Sequence, residues 1–422
     1  MKVLIINHSD ALGGAAIASM RLLDGLKAVG AEARLLVTDA RTGRPEVDVA
    51  GTGWQRRLAF VAERAGVLWN NGFKRSTLWL IDPASHGVNI AAHPWVQWAD
   101  AIVLGWVNQG TLSLDGLQAL LAIGKPVVWV LHDQWPMTGV CHLPDGCQGW
   151  TMGCERCPLL PPAKWRLAAE VHRRKADLYR APNMRFVAVS NWMAACAGMS
   201  SLLRGKTVTV IPNPLDCAAY ATRRLHDAMY GDHANKVVLT MGAARLDDPV
   251  KGLPLLVEAS RLIAERSPQL ASRLHIIFYG GLRNDSALDA VALDHTFVGY
   301  VDDPREVYAR ADVVLSTSRV ESFGYTLSEG MAAGCVAVTT GGGGQRDIVT
   351  HLKDGFVAEA TPQSLAEGIG WAADCRLDRN AQHRSVASRF DHRLVAKQWL
   401  QFLDPQVLPP EPPPPPPSGG GT

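Results

Sequence analysis

The sequence predicts an α/β protein built as two Rossmann-like parallel-sheet domains facing across a cleft. Three observations predict it. Short β-branched apolar runs of the buried parallel type recur along the chain. Loops and segments with helical spacing separate them. The alternation closes near Pro212 and restarts at Lys236, and 422 residues are enough for two domains that each bury a core.

The charge balance, 42 basic against 40 acidic residues, argues against a nucleic-acid partner. No apolar run reaches the roughly 18 residues of a membrane span. MKVLIINHSD turns polar too soon for a signal peptide and reads as a strand, so the expected compartment is the cytoplasm.

Val3 to Ile6 is the first strand, and Gly13-Gly14 opens a helix running to about Leu26. Ala33 to Thr38 is the next strand. Trp54 to Leu80 sets Arg56, Arg57, Arg64, Lys74 and Arg75 among Trp54, Phe60, Leu68, Trp69, Phe73 and Trp79. Two readings fit that mixture: contact with an anionic membrane surface, or a core-facing helix with a solvated basic side.

Ala101 to Leu104 and Pro126 to Leu131 are further strands, the second ending in His132-Asp133, well placed for a ligand. Cys141, Cys147, Cys154 and Cys157 follow as C-x5-C-x6-C-x2-C, half of the eight cysteines. In a cytosolic chain such clustering reads as structural zinc, with His142 as a spare ligand and free thiols or a redox pair as the alternatives. Lys164 to Arg185 is a basic helix, carrying Lys175 and five other basic side chains, either solvated or facing an anionic lipid group. Phe186 to Val189 and Val208 to Ile211 complete the first sheet, before Pro212-Asn213-Pro214.

In the second half, Val237 to Met241 leads into GAARLDDPVKG, which places Arg245 and Lys251 around a turn before a helix over Leu253 to Glu265. His275 to Gly280, Thr296 to Tyr300 and Asp312 to Thr317 supply strands. Glu321 then lies in a loop, and Glu329 sits about one turn inside a helix that starts at Tyr325 and ends at Gly334. The amides at that helix start face an anion, and a carboxylate such as Glu329 accepts from two vicinal hydroxyls. Val336 to Thr340 is a strand, and Gly341 to Gly344 would let backbone approach a ligand closely. Ser364 to Ala373 and His392 to Leu403 read as closing helices. The expected division is 1–212, with a Cys-rich insert at 141–157; 213–385; a crossover helix at 386–403; and a disordered Pro-rich tail at 404–422.

ESFGYTLSEGMAAGCVAVTT with the glycine loop after it resembles the E-x7-E signature of retaining glycosyltransferases of the GT-B fold, glycosyltransferase family 4. The likeness runs from Met1 to about Leu403. The stretch from His132 through the cysteines, with ADAIVLGWVNQG before it, is similar to a surface-polysaccharide subgroup that includes colanic-acid-type transferases. That subgroup commonly has a His where this chain has Gly105, which makes Trp106 and Asn108 further candidates.

The resemblance implies transfer of a sugar from a nucleoside-diphosphate sugar to a glycan or polyprenyl-pyrophosphate-linked acceptor, without a metal for the transfer. It puts Arg245 and Lys251 on the diphosphate, together with backbone N–H groups of Ser322, Phe323, Gly324, Tyr325 and Thr326. Glu329 would hold the ribose, Glu321 the sugar hydroxyls, and His132 would sit beside the transferred sugar. Gly13 and Gly14 would pass near the donor, while the strand ends at Gly280 and Gly299 would face the base. Where the family places Pro-Glu after the glycines, this chain has Gln345-Arg346-Asp347, so Arg346 is an added candidate for ligand contact. Three other functions are weighed: a sugar-nucleotide epimerase of the same fold, a non-catalytic sugar-nucleotide-binding protein, and a dinucleotide oxidoreductase. The last is disfavoured because GGAA is not G-x-G-x-x-G.

Overall fold

The computed structural model describes residues 1–225, 233, 235–375 and 378–404, so the expected tail from 405 onward lies outside the described residues. The first sheet holds β1 (Lys2–Ile6), β2 (Glu32–Val37), β3 (Val47–Val49), β4 (Ala101–Leu104), β5 (Val127–Leu131), β6 (Met184–Ala188) and β7 (Val208–Val210). The second holds β8 (Val237–Ala243), β9 (Leu274–Gly280), β10 (His295–Phe297), β11 (Val313–Ser316), β12 (Val336–Thr339) and β13 (Gly355–Val357).

The strands lie in the orders β3-β2-β1-β4-β5-β6-β7 and β10-β9-β8-β11-β12-β13, and all pair in parallel. β4, β5, β11 and β12 are buried at every residue, which is why they read as unbroken apolar runs. β3 and β13 have three residues each and no apolar run of their own. In both sheets the winding reverses, between β1 and β4 and between β8 and β11. Ligands of open α/β sheets bind at the carboxyl ends beside such reversals.

One core fills a face of the first sheet and another the outer face of the second. A third is shared: it joins Ile5, Val103 and Val130 to Val314, Leu327 and Met331 of the second domain. The chain returns to the first domain through two helices, Arg379–Phe390 and His392–Leu403, instead of one helix from 386. Asp391 breaks them and caps the second, accepting from the Arg393 amide at 3.0 Å. Leu215 of the interdomain linker docks at the break, donating to Phe390 O (2.7 Å) and accepting from the His392 amide (2.8 Å). The last helix packs on Gly14–Ala28, where a Cβ on Gly25 would meet His392 O at 2.5 Å.

The basic-aromatic segment is α-helical over Gly53–Asn70, started by a Thr52/Gln55 capping box, and makes one further 3-10 turn at Arg75–Thr77. Its buried face carries Ala59, Glu63, Arg64 and Val67, so Arg64 is not on a solvated side; it donates to buried Asp82 at 2.5 Å. The opposite face is an exposed apolar stripe at helical spacing, Trp54 (71%), Leu58 (54%), Val61 (53%) and Trp69 (62%), continued by Phe73 and Trp79. Among the described residues no helix is long and apolar enough to cross a membrane.

Lys175 departs from the expected solvated charge run. It is fully buried in Trp165–Leu178, and its ammonium donates to the carbonyls of Trp135, Thr138 and Gly139 at 2.7, 3.1 and 3.0 Å.

Candidate active site at the facing sheet edges

The loops after β8 and β11 flank the reversal of the second sheet, and they are locked together. Gly252, at φ 72°, would put a Cβ 2.0 Å from Thr317 O, so only glycine fits there. The Thr317 hydroxyl donates to Lys251 O (2.8 Å), and the Arg319 amide to Val250 O (2.8 Å). This contact sets Lys251 Nζ 2.6 Å from Glu321 Oε1. Arg245 donates from Nη2 to Asp248 at 2.5 Å. Its Nε is buried with no hydrogen-bond partner.

Gly341 to Gly344 serve a different approach from the one expected. A Cβ on Gly342 would stand 2.4 Å from Arg319 O, and one on Gly343 2.3 Å from Glu321 O. The glycines let this loop lie against the acidic loop: the Glu321 amide donates to Gly342 O (3.0 Å), and the Gly344 amide to Glu321 O (2.8 Å). The glycine at 280 is likewise required by the chain itself, since its Cβ would meet Ala243 O at 1.8 Å. Gly299, Gly13 and Gly14 have nothing within 4 Å of an added Cβ.

The helix Tyr325–Ala332 starts at Gly324 (φ 118°) without a side-chain cap. Phe323 is buried against Tyr325 and Phe390, so only its backbone can reach a ligand. Tyr325 donates to Pro214 O at 3.0 Å. Glu329 is largely buried and accepts from Tyr308 (3.1 Å) and from Arg21 of the first domain (2.7 Å). The Arg21 guanidinium lies over the Tyr325 ring. Burial opposes its charge, but the Glu329 carboxylate together with Tyr325 and Tyr220 outweighs that and raises its pKa further. Arg21 Nη1 remains buried without a partner. Arg346, an added candidate, donates to Gly341 O at 3.1 Å and so braces the glycine loop.

On the facing edge, residues after β1, β2, β4 and β5 converge. His8 Nδ1 is 2.8 Å from the Thr111 hydroxyl and 3.1 Å from that of Thr38, and its ring packs edge-on to Trp106. Trp106 Nε1 donates to Asp133 Oδ2 at 2.8 Å, and His142 Nδ1 lies 2.7 Å from the same oxygen. His142 therefore belongs to this cluster, not to the cysteines. Burial would raise Asp133, but His142 and these donors hold it below its ordinary value.

A Cβ on Gly105 would stand 2.6 Å from Asn7 Oδ1, which accepts from the Trp106 amide at 2.6 Å. Asn7 thus takes the space a side chain at 105 would need. Asn108 is buried, and its carbonyl accepts from the Thr111 amide. His132 lines a small cavity with Ser19, Gly105 and Asn213, and burial pushes its pKa down to about 4 against the pull of Asp133.

Three further contacts join the edges. Ser190 caps the helix Asn191–Met199 through Met193 and also donates to Ser322 O at 2.7 Å. The Asn191 amide donates to Asp347 at 2.5 Å. Arg319 donates to Asp145 of the cysteine-rich insert at 2.6 Å. The structure thus brings Lys251, Glu321 and Glu329 onto one edge opposite the first domain. His132 sits across from them, by the linker. Sequence reasoning missed Arg21, Ser190, Tyr308 and His8, of which only His8, just past β1, carried a positional signal.

Residues 235–374 match the family model described as "Glycosyl transferases group 1". The chain is 25% identical over 250 residues to a putative colanic acid biosynthesis glycosyl transferase, WcaC, of Escherichia coli, covering 57% of this chain and 58% of the relative. It is 30% identical over 211 residues to a phosphatidyl-myo-inositol mannosyltransferase of Mycobacterium tuberculosis, covering 46% and 53%. The chain thus spans a little over half the length of these relatives. Among solved structures, Anabaena Alr3699/HepE in complex with UDP and glucose superposes with a TM-score of 0.59 at 18% identity, covering 96% of this chain and 99% of that one. The lipopolysaccharide-biosynthesis glycosyltransferase WaaG also gives a TM-score of 0.59, at 15% identity, covering 96% and 100%. The fold is that of the two-domain GT-B glycosyltransferases.

Proposed function

We propose that this chain, whose residues 235–374 match the group 1 glycosyl transferase model, moves a sugar from a nucleoside-diphosphate sugar to a glycan or lipid-linked glycan in surface polysaccharide biosynthesis. The observation that carries this reading is the gathering of arginine, lysine and glutamate side chains at the facing sheet edges: Arg21 Nη1 is buried without a hydrogen-bond partner, and Arg245 Nε lies 3.6 Å from Asp247, at ion-pair but not hydrogen-bond distance. Both arginines stand beside the paired Lys251–Glu321 and Glu329 at the reversal of the second sheet. A buried donor without an acceptor costs about 1–3 kcal/mol, which an oxygen-rich anionic ligand would recover.

In this reading Arg245 and Lys251 leave their carboxylate partners for the diphosphate. The bond from the anomeric carbon to the diphosphate oxygen breaks, its electron pair leaves with the diphosphate, and the two cations take up the developing charge without a metal ion. The acceptor hydroxyl forms the new carbon–oxygen bond on the face just vacated and passes its proton to the departing diphosphate, which retains configuration. Glu329 has lone pairs left beyond those used by Arg21 and Tyr308, enough for the two ribose hydroxyls. Glu321, freed by Lys251, would orient sugar hydroxyls, with His132 on the facing wall.

The same reading places the enzyme peripherally on the cytoplasmic membrane face. The exposed stripe from Trp54 to Trp69 runs on into Phe73 and Trp79, flanked by exposed Arg57, Lys74 and Arg75. Aromatic side chains beside basic ones suit an anionic lipid surface.

The experiment is a panel of UDP-, GDP- and ADP-sugars, read by thermal shift and by slow hydrolysis, on wild type, Lys251→Met and Glu329→Gln. One nucleotide class should stabilise and be hydrolysed by the wild type and lose both effects in the variants. Absence of binding to any nucleotide sugar would overturn the reading.

A further inference from the structure

Cys141, Cys147, Cys154 and Cys157 are all free of disulfides, and all four line one small cavity whose other walls include Val140, Trp150 and Leu159. Three of them are buried. Three of the four sulfurs are met by backbone donors: Gly139 N–H points to Cys154 Sγ at 3.2 Å, Gly149 N–H to Cys147 Sγ at 3.4 Å, and the Leu159 and Leu160 amides face Cys157. Amides aimed at sulfur orient a cysteine side chain and support its charge once a cation is bound to it.

The backbone is bent to bring the sulfurs round. Asp145 (φ 41°) and Gly146 (φ 87°) precede Cys147, while Gly153 (φ 113°) and Cys154 itself (φ 59°) are left-handed. A non-glycine residue held there costs on the order of 1 kcal/mol, which something in the site must offset.

Regular secondary structure is sparse in this segment, which is tied to the domain by single bonds such as Asp82 N–H to Val140 O (2.8 Å) and Ser201 N–H to Trp150 O (3.2 Å). Between β5 and the helix Trp165–Leu178 the chain makes only the three-residue turns Trp135–Met137, Gly149–Thr151 and Pro162–Lys164. A cross-link within a long irregular loop stabilises it by lowering the entropy of the open chain. Buried Lys175 anchors its near side, bonding the carbonyls of Thr138 and Gly139 just before the first cysteine.

We propose that these four cysteines form a tetrathiolate site for a structural divalent ion of the zinc class, which fixes the insert as a wall of the cleft. Two side chains of that insert reach the facing edges: His142 at Asp133 and Asp145 at Arg319. On binding, the sulfurs draw together to about 3.8 Å from one another, the edge of a tetrahedron with sulfur–metal bonds of about 2.3 Å. A rival exists in His233, His275 and Asp294, the one group of His, Cys, Asp and Glu among the described residues whose ligand atoms all lie within 4.8 Å. There both ring nitrogens of His275 are already engaged, with Asp294 (3.0 Å) and Thr296 (3.1 Å), and its ring stacks on His233. The metal assignment is independent of the sugar-transfer reading.

The test is elemental analysis of the full chain purified without chelator, with cobalt substitution to read the ligand set. One zinc per chain is expected, with thiolate-to-cobalt charge-transfer absorption after exchange. Cys154→Ser and Cys157→Ser should abolish both, and His233→Ala should leave both intact. Should the cysteine variants fail to fold, the wild type answers directly: chelation should make Cys141, Cys147, Cys154 and Cys157 newly reactive to an alkylating agent. A metal-free chain whose alkylation is unchanged by chelator, a disulfide within the four, or metal lost on His233→Ala would each overturn the assignment.

Discussion

Arg21 of the first domain and Glu329 of the second meet at 2.7 Å across the cleft, inside a core that both domains share. Tyr308 holds the other Glu329 oxygen at 3.1 Å, and Tyr279 joins the Tyr308 hydroxyl at 2.6 Å, so a chain of polar groups runs from the second sheet to the first helix. Both members of the pair are largely buried. Removing one leaves a desolvated charge without its partner, which costs about 3 kcal/mol.

Arg21→Met should therefore lower the thermal midpoint by roughly 5 °C. Arg21→Met combined with Glu329→Gln should recover much of it. A double-mutant cycle with additive losses would show that the pair does not couple the domains.

Lys251 and Glu321 are about a third and a quarter exposed, so their bond adds little to stability. Their effect should lie in turnover. Lys251→Met should reduce sugar transfer about 10²- to 10³-fold, the usual effect of losing one preorganised charge at a leaving group, with the thermal midpoint nearly unchanged. Steady-state kinetics alongside a melting curve separate the two, and a variant that melts early but turns over normally would contradict the role.

The contrast between these pairs explains what was legible in the sequence. Arg245, Lys251 and Glu321 lie in loops past apolar strands and Glu329 inside the helix that follows, which local pattern shows, but E-x7-E alone looks like two surface glutamates, and it is the family resemblance that singles out these four. Arg21 sits in a helix whose sequence gives no sign that one side chain crosses to another domain. Ser190 reads as an ordinary helix cap, and its second bond, to Ser322 O, depends on how the domains face each other. The glycines at 342 and 343 were legible as a close approach, but not what approaches: acidic-loop backbone takes the place assigned to a ligand. Lys175 looked solvated because a charge run hides which member turns inward, and only the carbonyls after Gln134 show why it does.

His132 gives a pH prediction with a definite sign. Its pKa falls from 6.5 to about 4 on folding. Between those values the unfolded chain binds the extra proton and the folded chain does not, so this residue's contribution is complete above pH 6.5 and is lost as the pH falls toward 4. The limiting slope for one proton is about 1.4 kcal/mol per pH unit. Glu63 acts in the opposite sense, because burial, with Asp82 beside it, raises its pKa to about 8. His132→Asn should therefore flatten the acid side of the stability–pH curve and leave the side above pH 6.5 in place. An unchanged acid slope would mean that His132 is protonated in the folded chain.

The helix Gly53–Asn70 turns the usual arrangement inside out: Glu63 and Arg64 are buried, while Trp54, Leu58, Val61 and Trp69 face outward. The buried polar pair is partly accounted for: Glu63 Oε2 accepts from the His86 amide and Arg64 bonds Asp82, while Glu63 Oε1 and Arg64 Nε have no hydrogen-bond partner. The outward stripe has no such account within the chain. Lys164 lies over the Trp69 ring, which keeps a cation beside the aromatic face. A surface that is apolar along its crest and basic at its flanks should bind vesicles containing phosphatidylglycerol, and bind neutral phosphatidylcholine vesicles far less. Replacing Trp54 and Trp69 together by Ser should weaken that binding about 30- to 1000-fold, because each aromatic removes on the order of 1–2 kcal/mol of interfacial burial. Raising the salt concentration should weaken the wild type as well, since the basic flank acts through screened charge. Co-sedimentation with the two vesicle types measures both effects. Equal binding by wild type and the double variant would show that the stripe is not the contact, and binding indifferent to lipid charge would remove the basic flank from the argument.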